Sequence, residues 1–166
     1  LRGGGRCDGG AFFNDAVWRD LDILEEKGLS LEVLINKFSI DEVTEVAKRQ
    51  PDVKIMINHL GGLNISNDPF DEKWKEAMKK AALHENVYCK VSGIFQRAGV
   101  NPTPKNQSFY SPVFKVVFDA FGEDRIVYGS NWPVTDRGGS YSEQLGIIRG
   151  YFSSRGMRLK DSTRGE

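Results

Sequence analysis

Strand-like segments take turns with segments carrying the 3.6-residue apolar stripe of a helix, each change marked by a start or stop residue, and this alternation constrains the chain more than any other feature. Asn14 reads as an N-cap. Residues 15–27 then place Val17, Leu21 and Leu24 on one helical face, and Gly28 stops the helix. Leu31 to Ile35 reads as a strand. A helix from Ile40 to Gln50 carries Val43, Val46 and Ala47 on one stripe, Pro51 forbids its continuation, and Val53 to Asn58 is the next strand. Phe70, Trp74, Ala77, Met78 and Ala81 define the apolar side of a third helix, followed by a short strand from Val87 to Val91. A loop rich in Gly, Pro and Asn is expected from Gly93 to Ser111. Pro112 suits a first helical position, with Val113, Val116, Val117 and Ala120 turned inward and Gly122 as the stop. Arg125 to Gly129 is the last strand, and Tyr141 to Ser154 a final helix built on Leu145, Ile148 and Phe152. A single domain over 1–154 with a polar tail over 155–166 follows.

Each connection is long enough to carry a helix across a sheet, so the strands are expected to pair in parallel through right-handed crossovers. The fold class is therefore α/β. A doubly wound sheet and a barrel both satisfy the pattern, and in either one the chemistry lies at the C-terminal ends of the strands.

Composition excludes several partners. The 23 basic and 23 acidic residues cancel, leaving no field of one sign to attract a phosphate backbone, so nucleic acid is not expected. No apolar run approaches the roughly 20 residues that span a bilayer, and the N-terminus lacks the order of a secretory signal; no membrane partner and a cytoplasmic setting are the expectation. Cys7 and Cys89 lack metal-site spacing, and Cys89, in an apolar strand, reads as a small buried hydrophobe.

Polar residues gather where a ligand is expected. Asn58 and His59 follow the second strand, Lys90 and Ser92 close the third, and Ser130, Asn131 and Trp132 follow the fourth. His84 ends a charged helix and reads as a surface residue. For His59 two readings stay open: a core histidine bonded to backbone, or a ligand and base. Lys90 likewise either reaches into the site or is exposed at a wet strand end. Gly3 to Gly5 lack dinucleotide-binding spacing, and Gly61-Gly62 and Gly138-Gly139 are read as turns.

Three segments together carry a resemblance: Ile57-Asn58-His59-Leu60-Gly61, Asn86 to Gly93 (N-V-Y-C-K-V-S-G) and Phe121 to Val134 (F-G-E-D-R-I-V-Y-G-S-N-W-P-V). They resemble the lactonase-like branch of the amidohydrolase superfamily, whose members read D-H-L-G, N-V-Y-x-K-x-S-G and F-G-x-D-R-x-x-x-G-S-D-W-P-V and include lactonases of dicarboxylates and of sugar acids. The resemblance runs from Leu29 to Phe152 and implies part of a TIM (β/α)8 barrel of the metal-dependent-hydrolase type. The strands here correspond to the fifth through eighth, residues 1–6 echo an Arg-containing fourth, and the first three, with the family's His-x-His pair, have no counterpart.

The implied function is hydrolysis of a lactone or other small cyclic ester by an activated water. His59 and Asn131 would be the catalytic residues, with Arg2, Arg6, Asn58, Lys90 and Trp132 binding substrate. The implied cofactor is a divalent metal such as zinc in complete relatives, with His59 as a ligand; none is assured for this chain. The partner is a small-molecule lactone or sugar acid. Two departures bear on this. The family's catalytic Asp is Asn131 here, and its Asp before the His is Asn58. A carboxamide offers only hydrogen bonds and cannot take a proton from water near neutral pH. Asp136 is the nearest later carboxylate, read as a solvated turn residue. The alternative is therefore an inactive small-ligand-binding or structural remnant of the same barrel. An opened barrel would also expose strand edges, which predicts self-association.

Overall fold

The computed structural model describes residues 14–35, 39–66 and 71–156. Six helices and four strands alternate in it: α1 (Asp15–Glu26), β1 (Leu31–Val33), α2 (Ile40–Arg49), β2 (Ile55–Ile57), α3 (Glu72–Ala82), β3 (Val87–Ser92), α4 (Ile94–Arg97), α5 (Gln107–Phe121), β4 (Ile126–Gly129) and α6 (Tyr141–Ser153). The strands form one sheet in the order β1-β2-β3-β4, every pair parallel. This is the α/β crossover architecture expected from the alternation. Arg2, Arg6 and Cys7, and the third-helix residue Phe70, lie outside the described residues.

Local chemistry sets the element ends. Asn14 Oδ1 accepts from the Ala16 and Val17 amides at the head of α1. Ser39 with Glu42 and Ser140 with Glu143 form reciprocal capping boxes on α2 and α6, satisfying donors that a helix start leaves orphaned. Asn86 Nδ2 lies within hydrogen-bond reach of the carbonyls of Ala47, Gln50 and Val53, tying the end of α2 to the start of β3.

Side chains divide by parity along each strand. Val33, Ile55, Ile57, Val87, Cys89, Val91, Ile126 and Tyr128 are buried against the helices, Cys89 completely, as expected of a small hydrophobe. Glu32, Met56 and Tyr88, level with one another in register, and then Lys90 and Val127, one rung on, occupy the other face. That face is only partly covered, and it leads to the strand ends. Among the described strands, β1 and β4 each pair on one side only.

The loop expected up to Ser111 is shorter than the sequence suggested. Residues 94–97 form a helical turn, α5 begins at Gln107, and Pro112 sits inside the helix, not at its start. The apolar stripe Tyr110, Val113, Phe114, Val117 and Phe121, all buried, runs through the proline unbroken. Packing of that stripe outweighs the one backbone hydrogen bond that proline removes.

Candidate functional site

The loops that follow β2, β3 and β4 meet at one end of the sheet. After β2 the chain turns through a 3-10 segment, His59–Gly62, in which His59 and Leu60 both adopt left-handed backbone (φ 52° and 55°). Residues with side chains occupy that region at a cost of about 1–3 kcal/mol each and persist there only where the surroundings enforce it. Here they do: Leu60 is fully buried, and its carbonyl accepts from Trp74 Nε1 of α3 at 2.8 Å.

After β4, Asn131 is the other non-glycine residue with left-handed backbone among those described (φ 53°). The carbonyl of Ser130 is fixed on its buried side by Gln144 Nε2 of α6 at 2.7 Å and by Thr135 Oγ1 at 3.3 Å. The strained backbone positions therefore fall on His59, its neighbour Leu60 and Asn131.

Between the two loops lies Gly93, at the start of α4 with φ 65°. A methyl group there would stand 3.1 Å from Asn131 Nδ2, 3.5 Å from His59 Nδ1 and 3.5 Å from Gln96 Oε1. The two residues from different loops thus converge on a single point, held open by the absence of a side chain. His59 Nδ1 lies 2.7 Å from Ser92 Oγ, a contact that either tautomer satisfies. Asn131 Nδ2 donates to Gln96 Oε1 at 2.6 Å.

Burial, followed by the positive charges of Arg97 and Lys90, holds the His59 imidazole below its ordinary pKa of 6.5, with Glu32 opposing. The neutral ring is the form favoured by folding. The unfolded chain then binds the proton more readily, so this contribution is complete above pH 6.5 and is lost as the pH falls through and below it. His59→Gln should flatten the acid limb of a plot of melting temperature against pH relative to wild type. Parallel acid limbs would show that the imidazole is not perturbed.

Beneath this point the open face carries Glu32, Asn58 and Lys90. Glu32 Oε1 pairs with Lys90 Nζ at 2.8 Å, and Glu32 Oε2 accepts from Asn58 Nδ2 at 3.1 Å. The hydrogen bond from Lys90, with help from Asn58, keeps the Glu32 carboxyl below the usual carboxylate range despite partial burial. Arg97 Nη1 donates to the Gly62 carbonyl at 3.2 Å, joining the β2 and β3 loops.

Of the residues singled out in the sequence, the structure brings His59, Asn58, Lys90 and Asn131 to one end of the sheet. Trp132 follows Asn131 and is 49% exposed, at the rim. Asp136 is exposed on the 3-10 turn Val134–Arg137, as a solvated turn residue should be. Glu32, Ser92, Gly93, Gln96 and Arg97 complete the cluster. Only Ser92 among these was marked as a strand-end residue; a charged residue inside a short apolar strand was the available signal for Glu32.

A bound metal would need more donors than these residues supply. Among the described residues no three His, Cys, Asp or Glu side chains are placed to hold one ion, whereas a catalytic zinc site takes about three protein ligands. The described residues do not by themselves fit a metal centre.

A parallel sheet with helical crossovers, its strands in chain order and polar groups massed at their C-terminal ends, defines an α/β protein whose site lies where such folds place their chemistry. The chain belongs to the amidohydrolase family: the family model described as "Amidohydrolase" matches residues 2–150. It is 30% identical over 123 residues to an L-fucono-1,5-lactonase of Burkholderia ambifaria, covering 74% of this chain and 41% of that protein. It is 33% identical over 105 residues to an L-rhamnono-gamma-lactonase of Scheffersomyces stipitis, covering 56% of this chain and 31% of that protein. An amidohydrolase from Burkholderia multivorans solved with bound zinc superposes with a TM-score of 0.73 at 23% identity, covering 89% of this chain and 52% of that one. The chain thus spans about half the length, or less, of these proteins, and its four strands are part of a barrel.

Proposed function

We propose that this site hydrolyses the lactone of a sugar acid. The reading rests on one observation, the convergence of His59 and Asn131 upon the gap at Gly93. It is supported by similarity to proteins named as sugar-acid lactonases. The oxygen of a water attacks the ring carbonyl, the ring C–O bond breaks, and the proton passes to the departing alkoxide, leaving a hydroxy acid. His59 polarises the carbonyl oxygen as negative charge develops, Asn131 orients the attacking water, and Asn58, Lys90 and Trp132 contact the substrate. Arg2 and Arg6, outside the described residues, are proposed to hold a polar substituent. Should a divalent metal such as zinc bind, His59 Nε2 supplies one ligand, and the others come from elsewhere.

A panel of sugar lactones tests the proposal. At least one member should turn over, and His59→Ala should lower kcat/KM about a hundredfold with the fold retained. Unchanged turnover in the folded variant would reject the role given to His59. A second reading is favoured by the amides at positions 58 and 131: a module that binds a sugar acid without turning it over. Calorimetric binding without hydrolysis would select it. Self-association through the open edges of β1 and β4 belongs to the same proposal, with sedimentation velocity as its check.

A further inference from the structure

We infer that Glu32 is a specificity-determining residue of this site: its carboxylate, shared between the Lys90 ammonium and the Asn58 amide, turns the open face of the sheet away from anionic ligands and toward uncharged, hydroxyl-bearing ones. The inference rests on the lactone reading for its substrate.

Glu32 stands on β1 and Lys90 on β3, two strands away, a separation of about 10 Å at ordinary sheet spacing. Both side chains must therefore reach over β2 to make their 2.8 Å contact. Lys90 is guided from its far side as well. A methyl group on Gly129 would lie 3.1 Å from Lys90 Cδ and 3.1 Å from Ser92 Cβ, so β4 leaves room for the lysine stem and little more. Its side chain is 20% exposed against 57% for Glu32, so the better-buried cation is the one whose charge is met. A ligand carboxylate approaching Lys90 encounters Glu32 at contact distance, where like charges repel, weakened but not removed by solvent around the half-exposed Glu32 side chain.

The same carboxylate fixes Asn58. An ionised carboxylate only accepts hydrogen bonds, so Asn58 must turn its Nδ2 toward Glu32 and its Oδ1 away. Asn58 is 7% exposed, and Oδ1 is buried without a partner among the described residues. With that oxygen enclosed, the amide presents no acceptor to a ligand, and the selectivity rests on the Glu32 carboxylate and the Lys90 donors. Lys90 keeps two further N–H bonds for ligand oxygens, acting as a hydrogen-bond donor whose charge is already balanced.

Calorimetric titration of the full chain with two probes decides the matter: isophthalate, a rigid dianion, and a sugar lactam, an uncharged analogue that carries hydroxyls and resists hydrolysis. Wild type should prefer the lactam. Glu32→Gln should strengthen isophthalate binding at least about tenfold, and adding Lys90→Gln should remove that gain. Wild type preferring isophthalate, no gain in Glu32→Gln, or a gain that survives loss of Lys90 would each overturn the inference. If Glu32→Gln does not fold, Glu32→Asp, which draws the carboxylate back by one methylene, should show a partial gain, and unchanged affinity there would overturn it too. Absence of lactone turnover together with the expected isophthalate gain would reject the hydrolase reading alone and leave the charge selectivity standing.

Discussion

Asn131→Asp is expected to raise kcat for lactone hydrolysis by about a hundredfold to ten-thousandfold, with KM little changed. The amide at this position can place a water but cannot take its proton. A carboxylate can do both, and it acts only as the proton leaves, so the gain belongs in kcat. The surroundings accept the change. Asn131 Nδ2 donates to Gln96 Oε1 at 2.6 Å, and a half-turn of the exposed Gln96 amide presents its NH2 to a carboxylate instead. Aspartate also tolerates the left-handed backbone found at 131. Asn58→Asp is the informative contrast. Its Nδ2 donates to a carboxylate oxygen of Glu32, so an aspartate there sets two like charges at hydrogen-bond distance and should raise the pKa of one of them without adding rate. Initial rates on a lactone turned over by wild type supply the measurement. A folded Asn131→Asp with unchanged kcat would show that water activation lies elsewhere.

Much of the site was legible because it depends on chain order and on where the strands end. His59 and Asn131 each follow a strand, and parallel pairing brings strand ends together whatever lies between. Cys89 was legible as a buried hydrophobe, but which face of each strand is covered was not, since Ile55-Met56-Ile57 is apolar throughout and only the structure shows Met56 on the less covered side. What could not be read was anything requiring register. Glu32 meets Lys90 only because Leu31 pairs with Ile55 and Ile55 with Val87, and nothing within the tripeptide Leu-Glu-Val announces that partner. The left-handed turns at His59 and Asn131 were hidden for a related reason. The neighbouring carbonyls of Leu60 and Ser130 are held by Trp74 and Gln144, each 14 residues away, and Ser130 also by Thr135, so the local sequence alone does not announce the turns.

The amides at 58 and 131, both read from sequence as standing where the resemblance implies carboxylates, have different structural standing. Asn58 is built in, since its amide hydrogens complete the Glu32 network and a carboxylate would break it. Asn131 is not, because its partner Gln96 can serve either an amide or a carboxylate. If position 131 carries the base that the resemblance implies, restoring it is a change at one replaceable side chain, on a backbone that holds the strained geometry of the site.

Phe114→Ala is expected to cost about 3–5 kcal/mol of folding stability, a large share of the roughly 5–15 kcal/mol that holds a typical domain. Phe114 is fully buried on α5. Its ring centroid lies 5.1 Å from that of Tyr151 and 5.6 Å from that of Phe152 on α6, and 6.2 Å from that of Tyr110. Removing it empties the seam between the two helices, where rigid rings cannot collapse to fill the gap. The start at Pro112 expected from sequence left out Tyr110 and so hid the head of this aromatic stripe, which makes the seam a test of the helix as observed. Urea unfolding followed by far-UV circular dichroism supplies the number, and a loss below about 1 kcal/mol would mean the seam is outside the cooperative core. The consequence extends to the chemistry. Gln144 on α6 is fully buried and holds the Ser130 carbonyl next to Asn131, so a loosened α6 releases the anchor of the loop on which hydrolysis is proposed to depend.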